Sequence, residues 1–544
     1  MGVWAAYLGP SSANDLLRLL GPQAQIHVGQ DFGLGVCQAG SPPVNLTRAP
    51  DGCVSAVIGN DREAGSSISI YPSNPHLTVR RDPFGMHSVY IAGIDSVTWF
   101  ASDLRVLQQL PEVSACLDPV ALHGYLCFSY VPTPLVVLSQ ISSLPAGEQL
   151  VVRAGGEWRS ENTATWHEES PTKLSETEGI ADLRDRLRAA VAQGLGHERE
   201  VGVFLSGGID SSFVAALLVE LGAKAHLFTL DFGPPFDTEV TYAQQVAAHL
   251  KQPLTIVPAR PEQIRVALVP TAAALEQPFG DGVTVPLFLL GRAAAQEVGT
   301  VFNGEGGDQL FGGWTNKPML AAEVYATKVY AREKTYLSTY HRFHDLADAY
   351  YTPRARELTQ TVEVGEWVRP AFKAAGFTSL LHRLRAANLW LKGAQNIAPR
   401  AVQLGAVHGL RVKSPYFDRA LTEWTFCLPP EWFVRGAIEK HLLKRAAEPY
   451  LPSGIIWREK RGMRVPTTEW CLGPLRKQVA HSLGPRRLER EGWFNPAAVT
   501  ALRRGQDQSD EFRSRRIGEK LWALLMLQLW IEARDRPLRW PTQR

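Results

Sequence analysis

The stretch VFLSGGIDSS, residues 203–212, runs from a short apolar segment into a hydroxyl, two glycines, a carboxylate and two further hydroxyls. A continuous apolar run of this length suits a strand buried on both faces of a parallel sheet. The segment SSFVAALLVELG that follows has helical character and stops at Gly222. The pattern then repeats, with KAHLFTLDF and PLTIVPA reading as strands and TEVTYAQQVAAHLK between them as a helix. Strands alternating with helices predict a doubly wound α/β sheet. In such sheets the ligand sits beyond the carboxyl ends of the strands.

Ser206, Gly207 and Gly208 fall at that point. Glycines let backbone N–H groups approach a phosphate closely, and a following helix N-terminus favours negative charge. Ser206, Ser211 and Ser212 add hydroxyl donors. Asp210 would repel a bare phosphate, but it makes sense as a ligand of Mg²⁺ bridging to phosphate oxygens. A plain glycine turn with Asp210 as helix cap is the simpler alternative. No G-x-x-x-x-G-K-[ST] and no G-x-G-x-x-G string occurs in the chain. A second glycine-acid loop, VFNGEGGDQLFGGW, follows another short apolar run about a hundred residues on, and its Asp308 could supply a second carboxylate to the metal.

The 544 residues exceed one ordinary domain. Residues 1–165 hold short strand-like pieces such as SSISIYP, LTVRRD, HSVYIAG and SVTWFAS, separated by Gly, Pro, Asn and Asp, and predict an antiparallel β-rich, α+β unit. GEQLVVRAGGEWRSE adds a hairpin with a Gly-Gly turn, and TATWHEESPTKLSET reads as a polar linker. The α/β unit occupies residues 175–544 and turns mostly helical beyond about residue 320. Apolar residues at 45% and charged residues at 20% leave enough material for a sizeable core. The formal charge of +3 calls for neither nucleic acid nor a membrane surface. The charge is uneven, with fifteen Lys/Arg against eight Asp/Glu over residues 473–544. With Trp470, Trp493 and Phe494 nearby, that stretch is a candidate contact surface for a peptide, or else an ordinary solvated helical face. The six cysteines form no C-x-x-C pair, which argues against a disulfide framework or a zinc site. The first residues, MGVWAAYLGPSS, lack a signal-peptide pattern, and LWALLMLQLWIEA is too short to span a bilayer. A cytoplasmic protein is expected.

SGGIDSS resembles the pyrophosphate loop of the N-type ATP pyrophosphatases (the PP-loop enzymes), and GEGGDQLFGGW resembles the second phosphate loop of the asparagine synthetase family. RRDPFGMHSVYI, SPYFDRALTEWTFCLPPEW and EKHLLKRAAEPYLPSGIIWREKRG match the same family in the same order. The resemblance implies a class II amidotransferase-like domain followed by a PP-loop synthetase domain. It implies cleavage of ATP between the α- and β-phosphates, with an acyl-adenylate formed on a substrate carboxylate and an amine then displacing AMP. On the same resemblance Asp210 and Asp308 hold magnesium and residues 206–212 hold pyrophosphate. Leu205, Gly304 and Glu305 belong to the ATP site, and Lys460 stabilises charge developing during amide formation, as a fixed cation aimed at an oxyanion does.

Two departures stand out. Glutamine-hydrolysing relatives carry a cysteine after the initiator methionine, where this chain has Gly2, so the amidotransferase-like domain is expected to be vestigial. Family members also carry a glutamate before the PFLD-like motif, and aligning it on residues 415–418 puts Arg411 there, with Lys413 close by. Neither cation would serve as a base at neutral pH; they would orient a substrate carboxylate in the acceptor pocket or form structural ion pairs. These departures resemble the lasso peptide cyclases (macrolactam synthetases). That resemblance implies a leader-processed precursor peptide as partner, together with a leader peptidase and a leader-recognition protein. The alternatives are a β-lactam-type or other small-molecule amide synthetase, an ammonia-dependent asparagine synthetase, and an inactive scaffold relative.

Overall fold

The computed structural model describes the chain apart from residues 1, 30, 39–41, 51, 60–64, 72–75, 154–157, 170–172, 235, 237, 314–331, 341–346, 460–462, 507–515 and 543–544. Two six-stranded antiparallel sheets face each other in the first 162 residues. Strand Val3–Leu8 shows how the sequence builds this sandwich. Successive side chains point to opposite faces, so Trp4, Ala6 and Leu8 enter the core between the sheets. Ala5 and Tyr7 turn outward and pack under helix Ala13–Leu20 through Leu16 and Leu19. The expected hairpin forms, with Glu148–Arg153 antiparallel to Trp158–Asn162; its Gly-Gly turn lies outside the described residues.

The polar linker is more firmly held than its composition suggests. Trp166 is buried and stacks on Phe84 with ring centroids 5.2 Å apart. Ser175 then caps helix Glu176–Leu195, accepting from the Glu178 N–H while the Glu178 carboxylate accepts from the Ser175 N–H.

The second half is built on a five-stranded parallel sheet, in the order Leu254–Pro258, Lys224–Asp231, Glu200–Phe204, Thr300–Phe302, Arg411–Lys413. The doubly wound expectation is met, and the strand order reverses between Glu200–Phe204 and Thr300–Phe302. That switch point opens a crevice at the carboxyl ends of both strands. Val201 and Val203 are fully buried, as is most of helix Ile209–Glu220 behind the first loop. The final helix Ile517–Glu532 is apolar on nearly all sides because it lies inside the protein, with Trp522 and Trp530 fully enclosed. Among the described residues no helix is long and apolar enough to cross a membrane. All six cysteines are free thiols.

The halves are in close contact. The Tyr125 hydroxyl donates to the Ala523 carbonyl at 2.8 Å, and the Gly280 N–H donates to the Ser129 carbonyl at 2.8 Å.

Candidate active site

The two glycine loops meet at the switch point. Helix Ile209–Glu220 starts directly after Gly208, so Asp210 sits in its first turn. The loop is shaped by its own hydroxyls: the Gly208 N–H donates to Ser206 Oγ and the Ser206 N–H to Ser211 Oγ, each at 3.2 Å. Gly207 adopts φ +65°, and a Cβ there would lie 2.7 Å from the Ala243 nitrogen. Only glycine meets both demands.

The second loop lies on the first, main chain against main chain. A Cβ on Gly304 would stand 2.5 Å from the Ser211 nitrogen, and one on Gly307 would collide with the Asp210 carboxylate. Asn303 folds its own loop: its Oδ1 accepts from the Glu305 N–H at 3.1 Å and from Ser414 Oγ at 2.8 Å. The Tyr416 hydroxyl donates to the Asp210 carbonyl at 3.1 Å, so the SPYFD segment braces both loops. Behind them the fully buried Arg385 donates from Nε to the Leu310 carbonyl at 2.6 Å and stacks over Phe433 at 3.9 Å. Burial holds its guanidinium pKa well below the usual value.

A lysine joins the two acids. Lys440 Nζ lies 2.7 and 2.5 Å from the Asp210 carboxylate oxygens and 2.7 Å from Asp308 Oδ1. It is 1% exposed and caps helix His441–Ala447 in a left-handed conformation, φ 54°. A non-glycine residue held there stores strain of about 1–3 kcal/mol, the kind found where a site fixes a side chain. Nothing in the sequence alone singles out Lys440, which lies 230 residues from Asp210 in a charged run. Arg458 adds a further cation beside the first loop, its guanidinium 4.1 Å over the Tyr242 ring and Nη2 3.4 Å from where a Gly208 Cβ would be.

These groups line a cleft of about 610 Å³. Leu205, Ser206, Gly208, Asp210, Ser211, Gly304, Glu305 and Asp308 all border it, joined by Gln309, Lys440, Lys444 and Arg458. Ser212 is fully buried behind the loop, and Gly207 turns against Tyr242. Lys460 lies outside the described residues. Arg411 and Lys413, expected in a substrate pocket, do not border the cleft. Arg411 opens its strand at the amino end of the parallel sheet, opposite the crevice, and binds Glu198 at 3.0 Å and Thr300 Oγ1 at 3.1 Å. Lys413 shares its face and packs beside Gly194 of helix Glu176–Leu195. Burial and Arg411 both lower its pKa.

The asparagine synthase family matches this chain over residues 182–532, and the glutamine amidotransferase domain over residues 67–163. The chain belongs to the asparagine synthase family. It is 23% identical over 494 residues to the glutamine-hydrolyzing asparagine synthetase 1 of Bacillus subtilis, covering 85% of this chain and 76% of that one. Asparagine synthetase B of Escherichia coli is 24% identical over 387 residues, covering 68% and 59%. The human asparagine synthetase is 24% identical over 370 residues, covering 65% and 56%. Both are also named as glutamine-hydrolyzing. As a member of this family the protein is an ATP-dependent amide-bond-forming ligase, with an amidotransferase-like first half and a PP-loop second half.

The donor set fits magnesium. Asp210 and Asp308 are hard carboxylates bordering one cleft, the donor type Mg²⁺ takes, and Lys440 Nζ bridges them. Mg²⁺ is commonly held by one or two carboxylates plus substrate phosphates. Asp210 and Asp308 would hold it, and it would neutralise phosphate charge there.

Proposed function

We propose that this ligase closes a macrolactam in a ribosomal precursor peptide. The side-chain carboxylate of a peptide Asp or Glu attacks the α-phosphorus of ATP, forming the acyl-adenylate as the α–β bond breaks and pyrophosphate leaves. The peptide's own N-terminal amine then attacks the acyl carbon. It loses a proton as AMP departs, and an isopeptide bond remains.

The observation that carries this reading is the state of position 2. Gly2 lies against the main chain of residues 42–44, and a Cβ there would stand 2.9 Å from both the Pro42 oxygen and the Val44 nitrogen. Its N–H donates to the Pro42 carbonyl at 3.1 Å. Gly2 brings no side-chain nucleophile, and its close contact with the main chain of residues 42–44 leaves little room for one, which supports an amine brought by the substrate itself. An α-amine has a pKa near 8, so a usable fraction is neutral at pH 7. A cleft holding both ends of one peptide supplies the proximity that ring closure needs.

In this reading the residues divide the work. Ser206 and Ser211 border the place of the departing pyrophosphate, and Lys440 and Arg458 offset its charge. Leu205, Leu230, Leu287 and Leu290 give the cleft an apolar side suited to adenine. Lys460 is assigned the cation's part in the amide-forming step on the family resemblance alone.

Ammonia-dependent asparagine formation is the second reading; the names of the relatives favour asparagine as product, although they are named as glutamine-hydrolyzing. Hydroxylamine separates activation from amide formation. With ATP and a peptide bearing Asp or Glu, the adenylate should be intercepted as a peptide hydroxamate. A hydroxamate formed from free aspartate alone would favour the second reading.

A further inference from the structure

The cleft wall contains polar groups that the chemistry above does not use. Arg400 is 3% exposed. Its Nη1 donates to Asp281 Oδ2 at 2.6 Å and to Asn396 Oδ1 at 2.7 Å, while Asn396 Nδ2 donates to the same Asp281 oxygen at 2.8 Å. All three residues border the cleft. The Nε of Arg400 is buried and has no hydrogen-bond partner among the described residues.

Beside them stands Tyr130, contributed by the amidotransferase-like half. It is 2% exposed, borders the same cleft, and its hydroxyl also lacks a partner among the described residues. Its position is built in. Helix Pro119–Phe128 ends on Ser129 in a left-handed turn, and the Ser129 carbonyl accepts from the Gly280 N–H next to Asp281. Burial first, and then the Asp281 charge, raise the phenol's pKa, so the hydroxyl keeps its proton.

A buried donor without an acceptor costs about 1–3 kcal/mol. Two of them on one cleft wall are relieved by a ligand that brings acceptor oxygens. The charge balance then selects the class. Arg400 is paired with Asp281 and offers no uncompensated charge to a free carboxylate, and Asp281 opposes one. A bare ammonium would leave both donors unmet. A neutral amide fits all of them, its carbonyl accepting from Tyr130 or Arg400 and its N–H turned to Asp281.

We infer that Tyr130, Asp281, Asn396 and Arg400 form a peptide-backbone anchor in the cleft wall, assembled jointly by the two halves of the chain. The anchor rests on the peptide-substrate reading. It also gives the first half of the chain a role, because that half supplies part of the acceptor wall. Phe128, Met463 and Val465 border the same cleft and offer apolar surface for side chains.

The test uses the full chain and the pentapeptide amide Gly-Gly-Asp-Gly-Gly, with free aspartate as a ligand that has no peptide bond. Peptide binding is measured at equilibrium, and AMP release is followed in the same samples. Tyr130→Phe removes one donor without changing shape. Arg400→Lys keeps a cation for Asp281 and removes Nε. Each should weaken peptide binding by about fivefold to tenfold, while ATP affinity, the folding control, stays within about twofold. Peptide binding unchanged in both variants overturns the anchor, as does a wild-type protein that binds aspartate but not the peptide. Peptide binding that weakens in the variants, with no AMP release in the wild type, supports the anchor and contradicts the macrolactam reading alone.

Discussion

Lys440 Nζ lies 2.5 Å from Asp210 Oδ2 and 2.7 Å from Asp308 Oδ1, so one buried ammonium ties together two loops about a hundred residues apart. Without that cation two carboxylates would repel each other and an incoming triphosphate. Lys440→Met keeps an unbranched side chain one atom shorter and removes the charge. Carboxylate-dependent ATP–pyrophosphate exchange should fall by about two orders of magnitude or more. Thermal unfolding should show a loss of about 3 kcal/mol, because two acids are left in a partly buried site. Exchange near the wild-type rate would remove Lys440 from the activation step.

Asp210→Asn and Asp308→Asn address the metal assignment. Each should raise the Mg²⁺ concentration for half-maximal pyrophosphate exchange by about tenfold or more. A variant that loses rate at every Mg²⁺ concentration without a shift in the midpoint would point to a role in loop structure alone.

Gly304→Ala tests the contact between the loops. Its added Cβ would stand 2.5 Å from the Ser211 nitrogen, and the obstacle is backbone that cannot rotate away. Forcing the loops apart costs about 1–3 kcal/mol, which should weaken ATP binding by roughly tenfold to a hundredfold. Gly222→Ala is a control for strain alone, with φ +81° and no atom within 4 Å of the added methyl. It should lower stability and leave ATP affinity unchanged.

Glu276 gives the contact between the halves a pH dependence. It is fully enclosed, accepts from the Tyr90 hydroxyl at 2.8 Å, and is pushed up to about 7 by burial and then by Asp103. A carboxyl whose folded pKa is raised binds its proton more tightly in the native state than in the unfolded one. Its stabilising contribution is therefore complete below the unfolded value near 4.5 and is lost as pH rises through about 7. The melting temperature of the wild type should fall between about pH 5 and 8, and Glu276→Gln should flatten that slope. Parallel curves for the two proteins would contradict it.

The parallel sheet was legible because each of its longer strands ends in a local signal, a glycine turn or a helix start. The phosphate loop was legible for the same reason, since Ser206, Gly207, Gly208 and Asp210 are adjacent in sequence. Strand Arg411–Lys413 was not: three residues carry no periodicity, and its place comes from parallel pairing with Thr300–Phe302. Aligning Arg411 on the family's glutamate left two places for it, the acceptor pocket or a structural ion pair. The strand starts at the far end of the sheet, where Glu198 and Thr300 bind the Arg411 guanidinium. Lys440 was hidden because nothing local separates it from the other charges of EKHLLKR. Only the fold brings it to Asp210. Tyr130 was hidden in the same way, since its value lies in the cleft of the other half.

The most direct measurement supplies ATP, Mg²⁺ and a linear peptide whose Asp or Glu stands at ring-forming distance from a free N-terminal amine, and follows product mass together with AMP. The expected product is lighter than the peptide by one water, formed in equal amount to AMP and without added ammonia or glutamine. AMP and asparagine formed from free aspartate and ammonia, with every peptide left unchanged, would contradict macrolactam formation.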